Sequence, residues 1–169
     1  MDNYNNYFIS FFTPIYGFLI PTINQIELIS RLIKKLNPNP KLMYHLYSNT
    51  SYMDFIFIQN GIEQIICIEP DNEFTRNAIL MRKDIRTSLK DLITIYNNNP
   101  LSNEFNYSDA NIILLSYPPT LNTIMDKINN ECKNNTILII ESYNKPNIKL
   151  NPLYTVNITN NISVFIYKL

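Results

Sequence analysis

The 169-residue chain predicts an α/β fold: a three-layer sandwich around a mostly parallel sheet, ending in an antiparallel hairpin. Three observations predict it. Near-continuous apolar runs such as Gln64 to Glu69 and Thr136 to Ile140 have the look of strands buried on both faces. Segments of helical periodicity alternate with these runs. The last two apolar segments, 153–157 and 162–167, flank a short polar turn with no helix between them.

The elements follow in order. Residues 1 to 21 read as an irregular N-terminal segment, and the whole chain, 1–169, as one domain. Thr22 caps a helix to Leu36, on which Ile23, Ile26, Ile29, Ile33 and Leu36 recur at helical spacing. Asn37-Pro38-Asn39-Pro40 ends it, because proline cannot continue the hydrogen-bond ladder. Leu42 to Tyr47 is a strand, and Ser48 to Ser51 a polar turn. Tyr52 to Gln59 is a helix stopped by Asn60-Gly61, and Gln64 to Glu69 is a strand with an acid at its end. A helix near Asn72 to Leu80 follows, and Ile85 to Tyr96 holds a further element whose type the pattern leaves open. Asn111 to Leu115 is a strand running into Ser116-Tyr117-Pro118-Pro119-Thr120, and Leu121 to Cys132 an amphipathic helix. Thr136 to Ile140 is the next strand, closed by Glu141.

Composition excludes several classes. Lysine plus arginine and aspartate plus glutamate number 14 each, so no global field attracts nucleic acid or an anionic membrane. The 27 asparagines and 28 isoleucines, against two glycines, follow AT-rich codons, as in an AT-rich or viral genome. Asparagine clusters and the 12 tyrosines therefore carry little functional weight, although tyrosines also suit a protein-binding surface. Cys67 and Cys132 read as buried reduced thiols, and with the lone His45 they are too few to hold a metal. The start lacks a basic n-region, and the apolar stretch from Phe8 to Ile20 is too short to span a bilayer, which predicts a cytoplasmic protein. Arg76, Arg82, Lys83, Arg86 and Lys90 are interspersed with Asp84 and Asp91 and read as a solvated mixed face. A Ser–His–acid arrangement around His45 stays open, without a G-x-S-x-G elbow.

In parallel sheets of this kind, ligands sit beyond the C-terminal strand ends where strand order reverses. That singles out the turn after Leu42–Tyr47, Glu69, and the Ser116–Thr120 loop. Tyr16-Gly17-Phe18-Leu19-Ile20-Pro21, Ser51-Tyr52-Met53 and Leu114-Leu115-Ser116-Tyr117-Pro118-Pro119, in this order, resemble segments of the Rossmann-like class I S-adenosylmethionine-dependent methyltransferases. The resemblance is to a small group from eukaryotes and some viruses, with an Ile-Pro segment, an E-x-G-x-G-x-G-Y-W loop and an L-L-x-W-P-P strand end. It implies S-adenosylmethionine as cofactor, with Tyr47, Asn49 and Ser51 at the glycine positions and His45 in place of the leading acid. Glu69 would accept hydrogen bonds from ribose hydroxyls; a solvated acid ending the strand is the plain alternative. Ser116, Tyr117 and Pro118 would face substrate, although the aromatic that follows the prolines in amino-group methyltransferases is absent; Tyr117 packed on the sheet edge is the alternative. Asn49 tolerates left-handed geometry and Ser51 is small, but the Tyr47 ring would project into the volume expected for ribose and methionine.

Three readings follow. The first is a methyltransferase-like domain whose cofactor loop has decayed, a pseudoenzyme acting as a binding module for a protein partner. The second is an active S-adenosylmethionine-dependent methyltransferase on a small-molecule or protein substrate, and the third another Rossmann-like binder using the same strand ends.

Overall fold

The computed structural model describes residues 21–49, 51–83, 89 and 91–169. The Tyr16–Ile20 part of the N-terminal resemblance, the start of the 85–96 stretch, and Arg86 and Lys90 of the basic face lie outside them. The elements run α1 (Ile23–Leu36), β1 (Leu42–Leu46), α2 (Tyr52–Gln59), β2 (Gln64–Glu69), α3 (Asn72–Lys83), β3 (Ile93–Asn97) and β4 (Ile112–Ser116). Then come α4 (Leu121–Glu131), β5 (Ile137–Ser142), β6 (Tyr154–Asn157) and β7 (Ser163–Lys168).

One seven-stranded sheet has the order β3-β2-β1-β4-β5-β7-β6. The pairs from β3 to β5 are parallel; β7 enters antiparallel between β5 and β6. Strand order reverses at β1, which pairs with β2 on one side and β4 on the other. This is the predicted three-layer sandwich with its terminal hairpin.

Local chemistry accounts for the boundaries. Thr22 forms a full capping box with Gln25, each satisfying the other's backbone N–H at the start of α1. Gly61, at φ 93°, ends α2 in a conformation that side chains rarely adopt. Most elements differ from expectation by one to three residues at one or both limits. β1 stops at Leu46 because Tyr47 turns left-handed, at φ 57°. β5 continues through Glu141 to Ser142, since Glu141 pairs with Ser116 and Val164. α3 runs on to Lys83. The untyped middle element is β3, an edge strand whose half-exposed pattern hides its period.

Strand alternation splits the core in two. Met43, Ile65, Cys67, Ile112, Leu114, Ile137 and Ile139 join α1 and α2 in one apolar cluster. Tyr44, Leu46, Ile68, Ile113, Leu115, Leu138 and Ile140 join α4 in the other. Among the described residues, no helix is long and apolar enough to cross a membrane.

Candidate functional site

The site lies at the C-terminal ends of β1, β2 and β4, and its backbone is set by the turn after β1. Tyr47, Asn49 and Ser51 all adopt positive φ, at 57°, 49° and 57°. These are the three positions the resemblance assigns to glycine, and each adopts the left-handed backbone that glycine enters most readily. Each left-handed non-glycine residue costs about 1–2 kcal/mol. The surroundings hold the loop there: Tyr47 N–H donates to Ile68 O, and Ser51 N–H to Ser48 O.

Glu69 is buried, not a solvated strand end. Its carboxylate accepts the Asn49 N–H at 2.8 Å and the Asp71 N–H at 2.8 Å, which ties the β1 turn to the β2 end. Burial pushes its pKa up, against the pull of these two N–H donors.

The Tyr47 ring does not stand free above the strands. The left-handed turn at its own Cα carries it into the second core cluster, where it is 8% exposed. Burial raises the pKa of its hydroxyl. Thr120 occupies the N-cap of α4 and makes no side-chain cap bond. Tyr47 thus belongs to the core beside the tip of β1.

Below this rim a polar chain crosses the sheet. His45 Nδ1 lies 2.7 Å from Asp54 Oδ1 on α2, and its Nε2 lies 2.9 Å from Ser116 Oγ at the end of β4. Ser116 donates to Glu141 Oε2 at 3.0 Å, and the Tyr117 hydroxyl donates to Glu141 Oε1 at 3.3 Å. At the other end the Cys67 thiol donates to Asp54 Oδ2 at 3.1 Å. Tyr117 packs half-buried against the first core cluster and meets the Tyr143 ring at 5.1 Å; Pro118 is half-buried beside it. Ser116 is buried with its proton on Glu141, which leaves the Ser116–His45–Asp54 geometry without an exposed nucleophile.

Asp54 and Glu141 are the members that sequence reasoning passed over. Asp54 is an acid inside the otherwise apolar run from Tyr52 to Ile58, which is a signal in itself. Period two on the strands also places His45, Cys67, Ser116 and Glu141 on one face of the sheet.

Burial, the largest influence, raises the Glu141 pKa, against the lowering effects of Ser116, His45 and Tyr117. The folded state therefore penalises the ionised form. Its contribution to stability is fully present below the ordinary value of 4.5 and is lost as pH rises through the raised value. Glu141→Gln keeps the acceptor for Ser116 and removes that titration. We expect the urea midpoint of wild type minus that of Glu141→Gln to fall as pH is raised from 4.5 to about 8. A pH-independent difference would contradict the assignment.

No protein-family model and no curated protein matches the sequence. Solved structures match the fold. A methyltransferase from Geobacter sulfurreducens superimposes with a TM-score of 0.72 at 16% identity, over 99% of this chain and 89% of its own. A putative methyltransferase from Escherichia coli gives 0.68 at 11% identity, over 86% and 85%. An RNA methyltransferase from Salinibacter ruber, solved with S-adenosyl-L-homocysteine, gives 0.66 at 15% identity, over 83% and 90%. The architecture is the Rossmann-like methyltransferase fold.

Proposed function

We propose that this chain is a methyltransferase-fold protein whose nucleoside crevice is closed by its own side chains, and that it serves as a binding module for a protein partner. The observation that carries this reading is Tyr47, buried in the second core cluster at the tip of β1, where open α/β sheets receive ligands. A nucleoside entering there must displace an aromatic ring from a packed cluster. Glu69 supports the same reading, because both carboxylate oxygens already accept backbone N–H groups that ribose hydroxyls would have to share. The exposed Tyr96 and Tyr143 rings supply aromatic surface of the type enriched in protein interfaces. The finer likeness to small eukaryotic and viral methyltransferase-like proteins rests on Leu114 to Pro119 and Ile20-Pro21.

One observation favours an active enzyme. The 47–51 backbone keeps three left-handed residues and holds Glu69 in place, which is the posture of a cofactor loop. In that reading S-adenosylmethionine supplies the methyl group, Glu69 and the 48–51 turn orient it, and Ser116, Tyr117 and Pro118 face the acceptor. Isothermal calorimetry separates the two. The wild-type chain is expected to give no heat with S-adenosylmethionine or S-adenosylhomocysteine at concentrations up to about 1 mM. Micromolar binding that disappears in Glu69→Ala would establish the active reading instead.

A further inference from the structure

We propose that His45, Asp54 and Cys67 form a buried binding site for a single zinc ion, with Ser116 and Glu141 orienting the imidazole from behind. This inference is independent of whether the nucleoside crevice is open or closed. Three different ligand types, from β1, α2 and β2, bring their donor atoms within 4.8 Å of one another. None of the three residues is more than 1% exposed. Cysteine and histidine alone had looked too few for a metal; Asp54 supplies the missing ligand. His45 and Cys67 are register partners on adjacent parallel strands, so both side chains leave the same face toward α2.

The argument rests on the direction of the hydrogen bonds. Glu141 accepts from Tyr117 and from Ser116, and Ser116 has a single hydroxyl proton. The bond at 2.9 Å therefore runs from His45 Nε2–H to Ser116 Oγ, and an imidazole with that tautomer turns the Nδ1 lone pair toward Asp54. Asp54 Oδ1 faces it at 2.7 Å with lone pairs of its own. Two acceptors at that distance need a positive charge between them, either a proton or a metal ion. Carboxylate or serine contacts behind a ligating imidazole are the ordinary support of metal sites.

Cys67 decides between the two. Its thiol donates to Asp54 Oδ2 at 3.1 Å, so its sulfur already faces the carboxylate that also faces His45. A metal ion displaces the thiol proton to solvent, and thiolate, carboxylate and a dication sum to neutral. Sulfur, imidazole and carboxylate together suit zinc. Bond lengths of about 2.0–2.3 Å require ligand atoms roughly 3.5 Å apart, within about 1 Å of their present spacing.

The test uses the untagged full chain, unfolded and refolded with zinc or with cobalt(II), then dialysed and measured by elemental analysis and absorption. Wild type and Cys132→Ala are expected to retain about one equivalent and to show the cobalt–thiolate charge-transfer band. Cys67→Ser should lose the band, and Ser116→Ala should bind about 10–100-fold more weakly while remaining folded. Wild type retaining less than about a tenth of an equivalent of either metal, or cobalt bound without the thiolate band, would overturn the proposal. A proton would then fill the gap between His45 and Asp54.

Discussion

Replacing Asp54 with alanine is expected to cost about 3–5 kcal/mol, a large share of the roughly 5–15 kcal/mol that holds a domain of this size together. The carboxylate faces two buried groups, His45 Nδ1 at 2.7 Å and the Cys67 thiol, which donates to it at 3.1 Å. Alanine leaves both without a partner in a site closed to water, and the cost of an unmet buried polar group is several times the net value of a met one. Asp54→Asn is expected to be milder, about 1–2 kcal/mol. Its amide oxygen still accepts from Cys67, and its NH2 donates to the Nδ1 lone pair, so the chain keeps one polarity through His45, Ser116 and Glu141. Urea unfolding of chelator-treated protein measures both. Equal losses for alanine and asparagine would show that the acceptor role is not what holds this corner together.

The same corner shows what could be read in the sequence and what could not. α1 was legible from its first residue because Thr22 and Gln25 satisfy each other's backbone within four residues, a purely local event. α2 and β2 were legible because a polar turn and Asn60-Gly61 bracket them. β3 was not, since exposure rises along this edge strand from Ile93 to Asn97 and the segment shows no sustained apolar run. The strand ends and Glu69 were placed by a general rule of parallel sheets. The carboxylate's fate depended on Asn49, 20 residues away, and Asp71, which no local pattern reports. Asp54 was missed for the opposite reason. An acid in the first turn of a helix is so often a solvated partner of the helix dipole that its burial here goes unnoticed until β1 and β2 are brought beside it.

Tyr47 is where the sequence posed a steric problem that the backbone answers in an unexpected way, and substitution there is expected to reverse the usual order of alanine and glycine. Elsewhere glycine is about 0.5–1 kcal/mol worse than alanine. At φ 57° alanine keeps the left-handed strain that glycine sheds, about 1–2 kcal/mol. Removing the ring from its cluster costs about 3–5 kcal/mol in either variant. Tyr47→Ala is therefore expected to lose about 3–5 kcal/mol and Tyr47→Gly about 2–4 kcal/mol. Glycine also restores the residue that the cofactor loop of the resembled family carries at this position. Because the ring's removal vacates the space at the tip of β1, Tyr47→Gly is the variant in which heat with S-adenosylhomocysteine should first be measurable. Chemical denaturation orders the two variants. If alanine proves the more stable, Tyr47 is not strained, and if the glycine variant gives no heat while folded, a group other than this ring closes the crevice.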